Sequence, residues 1–255
     1  MTAGTLPTGL RQAIDRIARV PRLLVVCDYD GTLAPIVADP AQAVPRPEST
    51  QALATLATLP DTTAGVISGR ALRDLAPLSG LPAGVHLIGS HGAEFDAGFA
   101  HALDHQAQAL RRQLETDLEG LIGRTPGASL ELKPASIAVH VRRAEPAAGA
   151  SVLEAVRTGP ARWRGVHVTE GKAVIELAVV ETDKGEALDV LRRRVDATAA
   201  VFVGDDVTDE KAFARLTGLD VGVKVGSGET LAEYSVPDTE DVAIMLAYLL
   251  SERRR

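Results

Sequence analysis

Carboxylates, a hydroxyl and a lysine stand at points of this chain where apolar runs give way to turn residues. In LLVVCDYDGTLAP, Asp28 and Asp30 follow the run Leu23 to Cys27, and Gly31 and Thr32 then turn the chain away. AAVFVGDDVTDE repeats the pattern, with Asp205, Asp206 and Asp209 after a second run. TAGVISGR ends in Ser68, Gly69 and Arg70, and Lys184 stands before Gly185 at the start of a helical pattern. Carboxylate oxygens suit a hard divalent cation, hydroxyl and backbone N–H groups suit phosphate oxygens, and a lysine holds an anion by charge. Each piece alone has an ordinary reading, because Asp and Ser-Gly are common in turns and a lysine before a helix is commonly solvated. Their joint occurrence at successive strand ends points to metal-assisted phosphate chemistry.

Such groups converge when buried parallel strands end at one crevice of an open α/β sheet. The runs Leu23 to Cys27, Ala64 to Ile67, Val85 to Ile88, Ala199 to Val203 and Val221 to Val225 read as strands buried on both faces. Helical patterns at Glu48 to Leu59 and Gly185 to Val195 alternate with them. A last helix is expected over Asp238 to Arg255, with Asp238 or Thr239 as N-cap, and Arg253, Arg254 and Arg255 are expected to interact with the negative end of its dipole. Two carboxylates on alternate residues can both reach the crevice if the strand end curls at Gly31.

From about Ala100 to Val180 the rhythm changes to two helix-like stretches and more polar, alternating strands. ELKPASIAVHVRR and GKAVIELAVV each read as a strand in a sheet with one open face, a candidate ligand surface. The fold class is therefore α/β, a Rossmann-like parallel-sheet core over residues 1–100 and 181–255 with an inserted α/β domain over 101–180. With 255 residues, 45% of them hydrophobic, the chain can bury a full core. A formal charge of -7 argues against nucleic acid and anionic lipid as partners. Cys27 is the one cysteine, which excludes an internal disulfide and a cysteine-based zinc site. The N-terminus carries no apolar signal segment and no run is long enough for a membrane span, so a cytoplasmic protein is expected.

DYDGT, Ser68, Lys184 and GDDVTDE resemble, in their order, the four motifs of the haloacid dehalogenase (HAD) superfamily. The resemblance implies that Asp28 attacks phosphorus, that Asp30 protonates the leaving oxygen and then activates water, and that Ser68 and Lys184 hold the phosphoryl group. It implies Mg²⁺ bound by Asp28, the backbone carbonyl of Asp30 and Asp205, with Asp206 and Asp209 near it.

VISGRALRDL, LIGSHGAEF, ELKPASIAVHVRR, GKAVIEL and GDDVTDEKAF are similar to the trehalose-phosphate phosphatases within that superfamily. This implies that the insert is a substrate-specificity cap, with Glu131, Lys133 and Glu176 on sugar hydroxyls and His140, Arg142 and Lys172 nearby. Thr32, Gly69, Arg70 and His91 are implied around the substrate on the core side. The implied reaction converts trehalose 6-phosphate to trehalose and phosphate, the last step of trehalose biosynthesis, by a monomer acting on a small sugar phosphate. Ala178 and Val141 stand where the family often has arginine and tyrosine, which leaves sucrose phosphate, a mannosyl phosphoglycerate or a hexose phosphate open as substrates. A catalytically inactive sugar-phosphate sensor is a further reading. A phospho-accepting signalling module is disfavoured by the large insert and by the acid two residues after Asp28. His101 and His105 have metal-binding spacing but no visible third ligand, and Tyr29 is expected to point into the fold.

Overall fold

A computed structural model describes residues 6–95, 105–180 and 183–255. In chain order the elements are α1 (Thr8–Ile17), β1 (Leu23–Cys27), α2 (Pro47–Leu56), β2 (Thr62–Ile67), α3 (Leu72–Ser79), β3 (His86–Gly89) and β4 (Glu94–Phe95). Then come α4 (His105–Ile122), β5 (Ser129–Leu132), β6 (Ser136–His140), α5 (Pro146–Thr158), β7 (His167–Gly171) and β8 (Val174–Ala178). The chain ends with α6 (Lys184–Arg194), β9 (Ala199–Gly204), α7 (Glu210–Phe213), β10 (Val221–Val225), β11 (Tyr234–Val236) and α8 (Thr239–Arg253). It divides into two compact units, Met1–Phe99 with Thr182–Arg255, and Ala100–Glu181.

The first unit is built on a seven-stranded sheet in the order β11-β10-β9-β1-β2-β3-β4, parallel except for β4. This is a Rossmann-like arrangement, as expected. Leu23, Val25 and Cys27 face a core with α1, α2 and α8, and Leu24 and Val26 face another with α6 and α7. Burial on both faces is why β1, β9 and β10 read as continuous apolar runs. Asp238 caps α8, accepting from the N–H groups of Glu240 at 2.7 Å and Asp241 at 3.3 Å.

Arg253 departs from the expected role at its own helix terminus. Its guanidinium donates to the carbonyls of Ala18 (3.0 Å), Val20, Pro21 (3.4 Å) and Asp61 (2.8 Å), and to Thr62 Oγ1 (3.0 Å). A planar fork with five donors can satisfy several carbonyls where α1 ends and β1 and β2 begin, a stronger use than a dipole contact.

The second unit has a four-stranded antiparallel sheet in the order β5-β6-β8-β7. Ile137, Val139, Ile175 and Leu177 are buried with Leu114 and Leu118 of α4 and Val152 and Val156 of α5. The stretch expected as one strand, ELKPASIAVHVRR, is two, β5 and β6, paired back to back with Glu131 opposite Ala138. Pro134 cannot continue a ladder, so the chain reverses there, and the Lys133 N–H donates to the Ser136 carbonyl at 2.9 Å. His101 lies outside the described residues, and His105 begins α4. Among the described residues no helix is long and apolar enough to cross a membrane.

Candidate active site

Register brings the acids of the first unit together. Cys27 at the end of β1 pairs with Val203 of β9, and the Asp28 N–H donates to the Val203 carbonyl at 2.8 Å. Asp28 therefore leaves the sheet beside Gly204, and Asp205 follows. The carboxyl oxygens of Asp28, Asp205 and Asp209 lie within 4.8 Å of one another. Lys184, the first residue of α6 and itself buried, places its ammonium 2.7 Å from Asp28 Oδ1 and 2.7 Å from Asp209 Oδ1. Asp209 is fully buried, and its other oxygen accepts from the N–H groups of Asp205 at 3.0 Å and Asp206 at 2.9 Å. It thus fixes both the lysine and the backbone of the acidic turn.

Missing side chains make this packing possible. At Gly31, φ is +79°, and a Cβ there would lie 2.0 Å from Asp205 Oδ2. At Gly204 a Cβ would lie 2.3 Å from the Asp209 carboxyl carbon. Both glycines are thus required by close approach, and Gly31 also by its conformation.

Asp30 sits apart from the three acids. Arg70 grips both of its oxygens, Nε to Oδ2 and Nη2 to Oδ1 at 2.6 Å each, and the guanidinium lies 5.4 Å from the centre of the Tyr29 ring. Arg70, expected around the substrate, is engaged here with an acid. Tyr29 points into the fold as expected: it is fully buried, and its hydroxyl donates to the Ala43 carbonyl at 2.7 Å. Burial pushes that phenol up to about 12.

Ser68 follows β2, fully buried, and its Oγ accepts from the Arg70 N–H at 3.1 Å. The His91 ring lies over Gly69, where a Cβ would come within 2.6 Å of Cε1. His91 and Ser90 both have positive φ, 54° and 48°, a costly conformation for non-glycine residues that the Ser68–Arg70 loop holds. The Ser90 N–H donates to the Arg70 carbonyl at 2.7 Å and the His91 N–H to the Ser68 carbonyl at 2.9 Å. Thr32 is fully buried in the loop after Asp30. Asp206 is exposed and turns to its own loop, accepting from the Val207 N–H at 2.7 Å, so the structure does not group it with the three buried-edge acids.

In the second unit, Glu131, Ala138, Glu176 and Thr169 form one row across the sheet. Glu176 accepts from Lys133 Nζ at 2.9 Å and from Ser136 Oγ at 2.6 Å, and Glu131 Oε2 lies 2.9 Å from His140 Nε2. Lys133 is buried; Arg142, after β6, and Lys172, in the β7–β8 turn, are exposed. The sheet thus gathers Glu131, Lys133, His140 and Glu176 on or beside one face. One residue the sequence reading passed over is Lys224, buried in β10 with its ammonium on the Asp205 carbonyl. A lysine in the run VGVKV was the available signal.

The acid cluster fits a divalent cation. Its donors are hard oxygens, and Asp205 Oδ1 is buried with no hydrogen-bond partner. Burial pushes the Asp28 carboxyl well above the usual carboxylate range; Lys184 opposes this, and Asp209 and Asp205 add to it. Asp205 is raised by burial and then by Asp209. Burial works against the Lys184 ammonium, but Asp28 and Asp209 outweigh it and raise its pKa. One ammonium cannot offset three crowded carboxylates, and a further cation among them would. Gly31→Ala should push Asp205 out of this cluster. We expect Mg²⁺ affinity to fall at least about tenfold by isothermal titration, the scale on which supporting groups act at metal sites. Stability should fall by roughly 1–2 kcal/mol from the left-handed alanine. Wild-type affinity in this variant would contradict the packing argument.

Known proteins are similar to this chain over most of its length. The family model for trehalose-phosphatase matches residues 26–240. The trehalose-6-phosphate phosphatase of Escherichia coli (strain K12) is 35% identical over 236 residues, 89% of this chain and 87% of that protein. The trehalose-phosphate phosphatase of Mycobacterium marinum is 34% identical over 91% of this chain, which spans 63% of that longer protein. Among solved structures, the C-terminal domain of Candida albicans trehalose-6-phosphate phosphatase superposes with a TM-score of 0.74 at 25% identity, covering 98% of this chain and 99% of that one. A match that runs from within β1 to the start of α8, through both units, means that this chain belongs to the trehalose-phosphatase family, on a HAD fold.

Proposed function

We propose that the protein is a Mg²⁺-dependent phosphatase that releases phosphate from trehalose 6-phosphate through an aspartyl-phosphate at Asp28. The observation that carries this reading is the buried Asp28 carboxylate, held by Lys184 at 2.7 Å within the acid cluster, with a second acid two residues on.

An Asp28 oxygen forms a bond to phosphorus while the bond from phosphorus to the sugar oxygen breaks, and Asp30 gives that oxygen a proton. Asp30 then takes a proton from water as the water oxygen attacks phosphorus and the bond to Asp28 breaks. Phosphate leaves and both acids are restored. Because Arg70 occupies both oxygens of Asp30, at least one of those bonds opens when Asp30 carries the proton. Lys184 and Ser68 hold the phosphoryl oxygens, with Thr32, Gly69 and His91 around them. Mg²⁺ bound by Asp28, Asp205 and the Asp30 carbonyl, with Asp206 and Asp209 near, supplies the charge that lets an anionic nucleophile approach an anionic ester. General acid-base help contributes roughly 10² to 10⁴ in rate, while monoester hydrolysis calls for accelerations of up to about 10²¹. Electrostatics and positioning therefore do most of the work.

In the second unit Glu131, Lys133 and Glu176 take sugar hydroxyls, with His140, Arg142 and Lys172 beside them. Their side chains already pair with one another, so a sugar can replace those bonds without leaving a polar group bare, which would cost about 1–3 kcal/mol each. The protein acts as a monomer in the cytoplasm.

Purified protein should release phosphate from trehalose 6-phosphate faster than from sucrose 6-phosphate or glucose 6-phosphate. Excess EDTA should stop turnover and Mg²⁺ restore it; undiminished turnover in EDTA would refute the metal role, and preference for another ester the substrate. Glu131→Ala, Lys133→Ala or Glu176→Ala should lower kcat/KM for trehalose 6-phosphate by one to three decades, roughly 1.4 to 4 kcal/mol of transition-state stabilisation. Turnover of a small aryl phosphate should hardly change. Equal loss on both substrates would make these residues supports of the fold instead.

A further inference from the structure

Lys224 is 7% exposed in a strand whose other residues, Val221, Gly222, Val223 and Val225, are all buried. Val223 and Val225 belong to the core shared with α1 and α8, so alternation turns Lys224 the other way, to the face of Gly222. A Cβ at Gly222 would lie 2.8 Å from Leu216 and 3.2 Å from Phe213, so that face is tightly packed. Lys224 pairs with Gly204, the last residue of β9, and its ammonium donates to the backbone carbonyl of the next residue, Asp205. No carboxylate forms a salt bridge with it among the described residues.

That arrangement is a poor one for stability alone. Removing an ammonium from water costs several kcal/mol, and a hydrogen bond from a charged donor contributes about 1.5–3 kcal/mol. An apolar side chain of similar length would fill the same place more cheaply. What Lys224 adds is a second fixed point on Asp205. The Asp205 N–H is already held by Asp209 at 3.0 Å, and with Lys224 on its carbonyl both peptide groups around its Cα are pinned by charged side chains. The Asp205 carboxylate is left packed over Gly31 and directed to Asp28. Lys224 also brings positive charge to the back of a cluster that holds three carboxylates and one other lysine.

We infer that Lys224 is a positioning residue for the cation site: it holds the Asp205 carbonyl so that the Asp205 carboxylate meets a divalent ion together with Asp28. The inference rests on the cation site proposed above and goes beyond it, because Lys224 acts through the Asp205 backbone and is not one of the three clustered acids.

The test is Mn²⁺ binding to metal-free protein, read from the free-ion signal in electron paramagnetic resonance, alongside thermal melting without metal. Lys224→Met keeps the length and removes the charge; Lys224→Gln is a polar second variant if the first does not fold. Both should lose Mn²⁺ affinity by about 10- to 100-fold while the metal-free melting temperature stays level or rises. Raising Mn²⁺ or Mg²⁺ should recover much of kcat. A variant that melts earlier yet binds Mn²⁺ as the wild type does would overturn the inference and leave Lys224 a structural residue. Wild-type protein that binds no Mn²⁺ would overturn the cation site itself, and this inference with it.

Discussion

Three carboxylates and one lysine crowded at the ends of two adjacent strands set the terms for the rest of the first unit. Like charges at such separations are held only where the backbone gives them no alternative, and here every constraint is local and visible. Parallel pairing of β1 with β9 puts Asp28 beside Gly204. Asp209 folds back to hold two N–H groups of its own turn and the Lys184 ammonium. Gly31 and Gly204 leave the room that any side chain would fill. Removing Lys184 would leave the carboxylates uncompensated, the circumstance in which a buried ion pair matters most, at about 3–5 kcal/mol. The fold thus stores an electrostatic deficit that a divalent cation would relieve, which is a common bargain between stability and function.

The second unit handles its polar groups differently. Its sheet buries Ile137, Val139, Ile175 and Leu177 on one face, while Glu176 with Lys133 and Ser136, and Glu131 with His140, satisfy one another nearby. These are opposite-charge or exchangeable pairs rather than like charges. Such a surface asks for neutral hydroxyls, whereas the acid cluster asks for a cation and an anion together.

The parts that were legible in the sequence are those fixed by short-range pattern. Leu23–Cys27 and Val221–Val225 appear as strands with the expected limits, because burial on both faces leaves an unbroken apolar run and the turn residues end it. Asp238 could be recognised as a cap for the same local reason. The acid cluster followed from strand ends, since all parallel strands of such a sheet present their carboxyl ends to one edge. What escaped depends on partners distant in sequence. Arg253 reaches carbonyls some two hundred residues earlier, and no local pattern indicates it. The grip of Arg70 on Asp30 joins two loops whose separate motifs suggested substrate contact for one and acid-base work for the other. Lys224 lies inside the run Val221 to Val225, read only as an apolar strand, and the register with Gly204 is what places it beside Asp205. The β5–β6 hairpin was missed although Pro134 marked it and the apolar positions change parity across it, from Leu130 and Leu132 to Ile137 and Val139.

On this geometry the acid cluster is an electrostatic strain that a divalent cation would relieve. Thermal unfolding of wild type and Asp205→Asn, each with and without Mg²⁺, tests it most directly. Neutralising Asp205 should leave the metal-free protein melting at the same temperature as wild type or higher, since it removes a charge that burial and Asp209 disfavour. Mg²⁺ should raise the wild-type melting temperature progressively with concentration, as mass action requires, and should leave the variant nearly unmoved. If Asp205→Asn instead melts well below metal-free wild type, or if Mg²⁺ stabilises both proteins equally, the cluster is not the strained cation site described here.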